Sequence, residues 1–191
     1  MVRRRLTLSA LLILLLLAPL GARWEARRDV DRMTEAAVAF LQSLDEGQRA
    51  AATYGFAEAQ RSRFHFIPNE MFERHGVMIA QMSAMQRDRA HDLLEAGLSQ
   101  RGYLTATQIM ELEDVLLALE GGQRFARDRD EYLFTVFGTP ARDESWGWRF
   151  EGHHISLHFT IVGGEIAVVT PAARVSGSPS STASCDFTAA S

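Results

Sequence analysis

The chain has no lysine, a single cysteine, and no phosphate-cradling glycine loop, nucleophile elbow or zincin motif. All 20 of its basic side chains are arginine. Many alternate with acids, as in Arg27-Arg28-Asp29 and Arg127-Asp128-Arg129-Asp130, a pattern of solvated faces rather than of a phosphate-binding surface. With a formal net charge of -4, the composition excludes nucleic acid as the main partner. The lone Cys185 can form no internal disulfide, so the fold must hold by packing. The length of 191 residues and an apolar content of 47% suit one domain with a buried core.

A long membrane-spanning run is also missing. The apolar stretch Leu6 to Leu17 is too short to span comfortably as a permanent helix. Arg3-Arg4-Arg5 precedes it and Ala18-Pro19-Leu20-Gly21-Ala22 follows, which is the charge, length and small-residue ending of a secretory signal. The expectation is an export segment over 1–22, cleaved near Ala22, with the mature protein periplasmic or extracellular. Its only membrane contact would be through that segment, with an uncleaved anchor as the alternative. The oligomeric state is not legible.

What is present divides by period. Val30, Met33, Ala37, Phe40, Leu41 and Leu44 recur at helical spacing, with a break near Asp45 and a short second helix over Arg49 to Thr53. Arg63 to Pro68 reads as a short extended segment before a proline. Ile79 to Leu98 reads as a long helix with Met82, Met85, Ala90, Leu93 and Leu94 inward and Gly102 as its stop. Thr105 is expected to cap the next helix, whose inner stripe is Ile109, Leu112, Leu116 and Leu119, ended by Gly121-Gly122. The two long helices are expected to form a hairpin, with Met71, Met78, Met82 and Met85 filling the core around it.

After Asp130 the period becomes two. Tyr132 to Phe137, Trp146 to Phe150, His153 to Val162 and Glu165 to Thr170 read as strands. Gly163-Gly164 marks a two-residue hairpin turn that needs positive φ at both positions. In that register Ile161 faces Ile166 and Phe159 faces Val168. Ile155, Leu157, Phe159 and Ile161 then share one face, and His154, Ser156, His158 and Thr160 the other. Helices first and strands later predict an α+β fold, with the N-terminal helices on one face of a C-terminal antiparallel sheet.

Six motifs in fixed order carry a resemblance. They are Phe66-Ile67-Pro68 with Arg74 and Gly76, Leu98-Ser99 with Gly102-Tyr103, Ile109-Met110 with Glu113, Arg127-Asp128 with Tyr132, Phe137-Gly138 with Pro140, and the block from Trp146-Gly147-Trp148 to His153-His154. Over approximately Ala36 to Pro171 the chain resembles domain-of-unknown-function family 3500, mostly exported proteins without an established activity. Family members look longer, and Ala172 to Ser191 reads as a Ser, Ala and Thr rich disordered tail. The resemblance therefore implies a truncated or frame-shifted member, with 23–171 as the N-terminal half of the family domain.

Glu151, His153, His154 and His158 offer metal-ligating and acid–base chemistry in one short segment. If the segment is a strand, His153 and His154 point to opposite faces and could share an ion only through a bulge at Gly152. His154 and His158 would share a face yet stand roughly 13 Å apart. The expected site is a His-lined hydrolytic pocket that would take a divalent metal. His154 is its ligand or base, His153 and His158 are further ligands or orienters, and Glu151 is an acid or a partner that orients a His. Trp146 and Trp148, two residues apart, could form an aromatic wall for a small-molecule ligand or pack in the core. The bland alternatives are a hydrogen-bonded polar face for the His residues and an arginine pair, to Arg149 or Arg142, for Glu151. At the level of the whole protein, the rival is a non-catalytic exported module that binds a ligand or a protein.

Overall fold

The computed structural model describes residues 27–63, 65, 67–121, 125 and 127–173. The expected export segment over 1–22 lies outside them. Among the described residues, no helix is long and apolar enough to cross a membrane.

Helix α1 runs over 27–43 and buries Val30, Met33, Ala37 and Phe40, a stripe at helical spacing that Leu44 continues. Asp45 then starts α2 (Glu46–Ala52): its carboxylate accepts from Gln48 N at 2.8 Å, while the Gln48 side chain accepts from Asp45 N at 3.1 Å. Arg49 turns back to the carbonyls of Leu41 and Leu44, both at 2.9 Å, so the end of α1 is closed by a cation where its dipole favours one.

The third helix starts later than the apolar period predicts. Ile79–Gln81 is a single 3₁₀ turn, and α3 (Ala84–Gly97) begins at Ser83, whose backbone N–H donates to the Gln86 side chain at 2.8 Å. That capping box overrides the run of apolar residues before it. Met85 and Met71 are exposed, and of the four methionines expected as core filler only Met82 is buried. Leu98-Ser99 is the whole connection to α4 (Gln100–Glu120), and His91 Nδ1 lies 3.0 Å from the Tyr103 hydroxyl across the pair. Ser99, not Thr105, caps α4, because its hydroxyl accepts from Gly102 N at 3.1 Å. Gly102 is therefore inside the first turn and stops nothing, and Thr105 Oγ1 donates to Arg101 O within the helix. Gly121, left-handed at φ 66°, ends α4. The buried stripe is Ala106, Ile109, Met110 and Glu113, while Leu112 and Leu119 face outward.

The sheet has the order β1-β3-β4-β5-β6, from Thr53–Tyr54, Leu133–Phe137, Trp146–Glu151, Ile155–Val162 and Glu165–Ala173; β2 (Val77–Met78) also pairs with β3. β1 lies parallel to β3 and β2 antiparallel, each along a different part of it. The rest is antiparallel, so the fold is α+β. Residues 63–68, expected to be extended, join no strand where they are described. Gly163 (φ 59°) and Gly164 (φ 76°) make the predicted β5–β6 turn. A register shift between Thr160 and Ile161 keeps Ile161 opposite Ile166 but sets Phe159 opposite Val169 rather than Val168. Strand β6 continues to Ala173, two residues into the segment expected to be a tail.

Both sheet faces are covered. On one, Phe134, Phe150 and Leu157 lie side by side, as do Val136, Trp148 and Phe159. The helices close this face: Phe40 meets the Phe134 ring at 5.5 Å, and α3 brings Gly97 against Trp148 and Phe159. The other face carries Thr135, Arg149, Glu151, Ser156 and His158, and Gln60, Arg63 and His75 lie over it. Arg149 Nη1 donates to Gln60 O at 2.8 Å and Arg63 O at 2.5 Å, and Thr135 Oγ1 donates to His75 O at 2.6 Å. A polar face buried this way stays in place because its groups are paired.

Candidate functional site

Glu113 takes the fourth position of the inner stripe of α4, where spacing dictates an apolar residue, and is only 2% exposed. A carboxylate in that place needs partners. They come from the connection between β4 and β5. Gly152 to His154 form a turn closed by Gly152 N donating to Ile155 O at 2.9 Å, so the alternation of a strand does not govern them. The expectation that His153 and His154 diverge is overturned: their rings stack at 4.0 Å and 17°. Both present Nδ1 to the same atom, Glu113 Oε1, His154 at 2.8 Å and His153 at 3.7 Å.

Arg127, downstream of α4, holds the other carboxylate oxygen, donating from Nη1 to Glu113 Oε2 at 3.3 Å. It is itself fixed by Glu120, which accepts from Nε at 3.1 Å and from Nη2 at 2.8 Å. The same Nη1 lies 2.9 Å from His153 Nδ1. Arg127 thus orients Glu113 so that Oε1 is left to the imidazoles.

The electrostatics follow from burial and from these neighbours. Burial works against ionisation of Glu113, but the His154 contact and the charges of His154, His153 and Arg127 outweigh it and hold the carboxyl below its ordinary range. Burial first, then the neighbouring His154, push His153 down to about 4, so at neutral pH its ring is uncharged and has a lone pair to give. Despite the 2.8 Å separation, Glu113 Oε1 and His154 Nδ1 are not aligned as a hydrogen bond, and neither atom makes one with any other group among the described residues. Two imidazoles and one carboxylate, with donor atoms all within 4.8 Å of one another, are a donor set able to hold a metal ion. Beside them opens a small cleft lined by Asn69, Glu113, Asp128, Glu131, Tyr132 and His153.

The other residues singled out in the sequence fall elsewhere. His158 is on the covered polar face, its Nε2 2.9 Å from Ser156 Oγ, outside the cluster. Glu151 shares that face, fully buried, with Arg149 Nε at 2.8 Å and Arg74 Nε at 3.8 Å. Arg142 pairs with Asp31 instead. Trp146 and Trp148 are core, the latter stacked on Phe159 at 4.3 Å and 4°. Glu113, Arg127 and Tyr132 were not among the site candidates. The available signal for Glu113 was an acid at helical spacing from Ala106, Ile109 and Met110.

A family model described as "Protein of unknown function (DUF3500)" matches residues 26–184, and the chain belongs to that family. The match begins ahead of Ala36 and runs past Pro171, beyond both ends of the resemblance read from the motifs. No curated protein and no solved structure matches the chain.

Proposed function

We propose that this family member binds a divalent transition-metal cation between Glu113, His153 and His154 and uses it in a hydrolytic reaction outside the cytoplasm. The observation that carries the reading is the convergence of His153 Nδ1 and His154 Nδ1 on the single oxygen Oε1 of Glu113, unaligned for hydrogen bonding. A tetrahedral zinc site sets its donors roughly 3.4 Å apart, and the two contacts at 2.8 and 3.7 Å bracket that value. Mixed imidazole and carboxylate donors favour zinc and its neighbours over magnesium or calcium. Such a cation would polarise a carbonyl or phosphoryl oxygen, or acidify a water, on its open side.

The chain's own residues supply the rest. Arg127 fixes Glu113 through Oε2, and the turn that begins at Gly152 pairs the two rings. On the cleft wall, burial and the charges of Asp128 and Glu70 hold Glu131 above the ordinary carboxyl range, which suits a residue that takes up and releases protons.

One contact favours a second reading, a metal-free binding site. Arg127 Nη1 at 2.9 Å from His153 Nδ1 already brings positive charge to the donors a cation would use. Metal content separates the two. Protein exposed to zinc and then dialysed is expected to keep one equivalent, and Glu113→Gln and His154→Ala to keep none. Wild-type protein that retains no metal would leave the binding-site reading.

A further inference from the structure

Among the described residues, the hydroxyl of Tyr132 is a buried polar atom on the cleft wall without a hydrogen-bond partner. The residue is 1% exposed, and among the described residues no group meets its hydroxyl in hydrogen-bond geometry, although the Glu113 carboxylate and the His154 backbone lie near enough to act on it. A buried donor left unmade carries its full desolvation penalty, so its persistence calls for a function or an absent ligand. The ring cannot turn away. It stacks on Phe150 at 5.4 Å and 24°, and Tyr132 O accepts from Ile79 N at 2.9 Å. On its other side is Gly152, where a Cβ would stand 2.5 Å from ring carbon Cδ1. The glycine that opens the histidine turn therefore makes room for this ring.

We infer that Tyr132 is a ligand-positioning residue: its hydroxyl donates a hydrogen bond to the acceptor atom of whatever molecule occupies the open side of the Glu113, His153 and His154 centre. The inference rests on the metal reading above and deepens it by naming the ligand chemistry, an anion or a polarised oxygen with a lone pair facing the phenol. Tyr132 is not a metal ligand in this arrangement. Glu113, His153 and His154 hold the ion, and Tyr132 selects what the ion holds.

The test uses cobalt-loaded protein and azide, an anion that binds an open metal position and accepts hydrogen bonds, with the cobalt visible absorption as the readout. Tyr132→Phe is expected to keep one cobalt equivalent and to bind azide about tenfold more weakly, the loss of one hydrogen bond to a charged acceptor. The apo variant is expected to melt at or above the wild-type temperature, because the substitution removes a hydroxyl that no described group meets in hydrogen-bond geometry. Unchanged azide affinity overturns the inference while leaving the metal site standing. So does loss of cobalt from Tyr132→Phe, which would make the phenol a ligand, and so does a lower apo melting temperature, which would make the hydroxyl a structural donor to Glu113. Tyr132→Leu, without a ring hydroxyl or aromatic stacking, separates loss of packing from loss of the donor: azide binding as weak as in Tyr132→Phe supports the inference, and wild-type affinity in it overturns the inference. If the wild type takes up no cobalt, the metal reading itself fails first, and that failure is seen before any azide is added.

Discussion

His154 Nδ1 and Glu113 Oε1 lie 2.8 Å apart, one on the turn between β4 and β5 and the other on the inner stripe of α4, so this contact joins the helical layer to the sheet at the site. A cation bound there would tie the same two layers together. Zinc at about 100 times its dissociation constant should therefore stabilise the wild type by about 2.7 kcal/mol. A thermal melt with and without zinc should show an upward shift in the wild type and none in Glu113→Gln.

The covered polar face predicts a different pattern. Glu151 is the acid between Arg149 and Arg74, all three nearly inaccessible to water. Glu151→Gln leaves two buried guanidinium groups short of a counter-charge and should cost about 3–5 kcal/mol in denaturant unfolding. Zinc retention should be unaffected in whatever fraction stays folded, because Glu151 belongs to neither the cluster nor the cleft.

Helix α3 approaches the sheet through Gly97. A methyl group there would meet Trp148 Cζ2 closer than real Cβ atoms come and would stand 3.1 Å from Phe159 Cζ, and both rings are locked in the core. Alanine ordinarily favours a helix by about 1 kcal/mol over glycine. Overpacking costs about 1–3 kcal/mol, so Gly97→Ala should on balance destabilise the fold. Equilibrium unfolding in urea reads the sign.

Stability should fall as the solution is acidified below neutrality. Burial first, then Arg149, push His158 down to about 4, opposed by its hydrogen bond to the Arg61 backbone. Its folded value lies below the unfolded value of about 6.5. The unfolded chain therefore binds more protons between these values, and stability present above about 6.5 is lost as pH drops toward 4. His158 alone contributes at most on the order of 1.4 kcal/mol per pH unit within that window. His158→Gln, which has no titrating group, should flatten the pH dependence of the melting temperature between 4 and 6.5. An unchanged slope would remove His158 as its source.

The sheet was legible because its signals are local. Alternation in His153 to Val162 and the Gly163-Gly164 turn need no knowledge of the rest of the chain, and they sort Ile155, Leu157, Phe159 and Ile161 onto the core face. The helix starts were not, because Ser83 and Ser99 decide them through hydrogen bonds that compete with apolar periodicity. The Val168 register failed for a similar reason: a bulge after Thr160 leaves no compositional mark. The site was half legible. The His153-His154 pair stood out, but treating it as strand separated two rings that a turn at Gly152 stacks together. Glu113 was hidden because its partners are distant in sequence. Only the oddity of an acid beside Ala106, Ile109 and Met110 points to it, and apolar spacing alone puts outward-facing Leu112 and Leu119 on the inner stripe in its place.

The most direct measurement is X-ray absorption at the zinc edge on the zinc-loaded protein. A first shell of two imidazole nitrogens and one carboxylate oxygen at about 2.0–2.2 Å is the expected result, with one imidazole signal lost in His154→Ala. A shell of water and carboxylate oxygen alone, identical in wild type and variant, would show that Glu113, His153 and His154 do not form a metal centre.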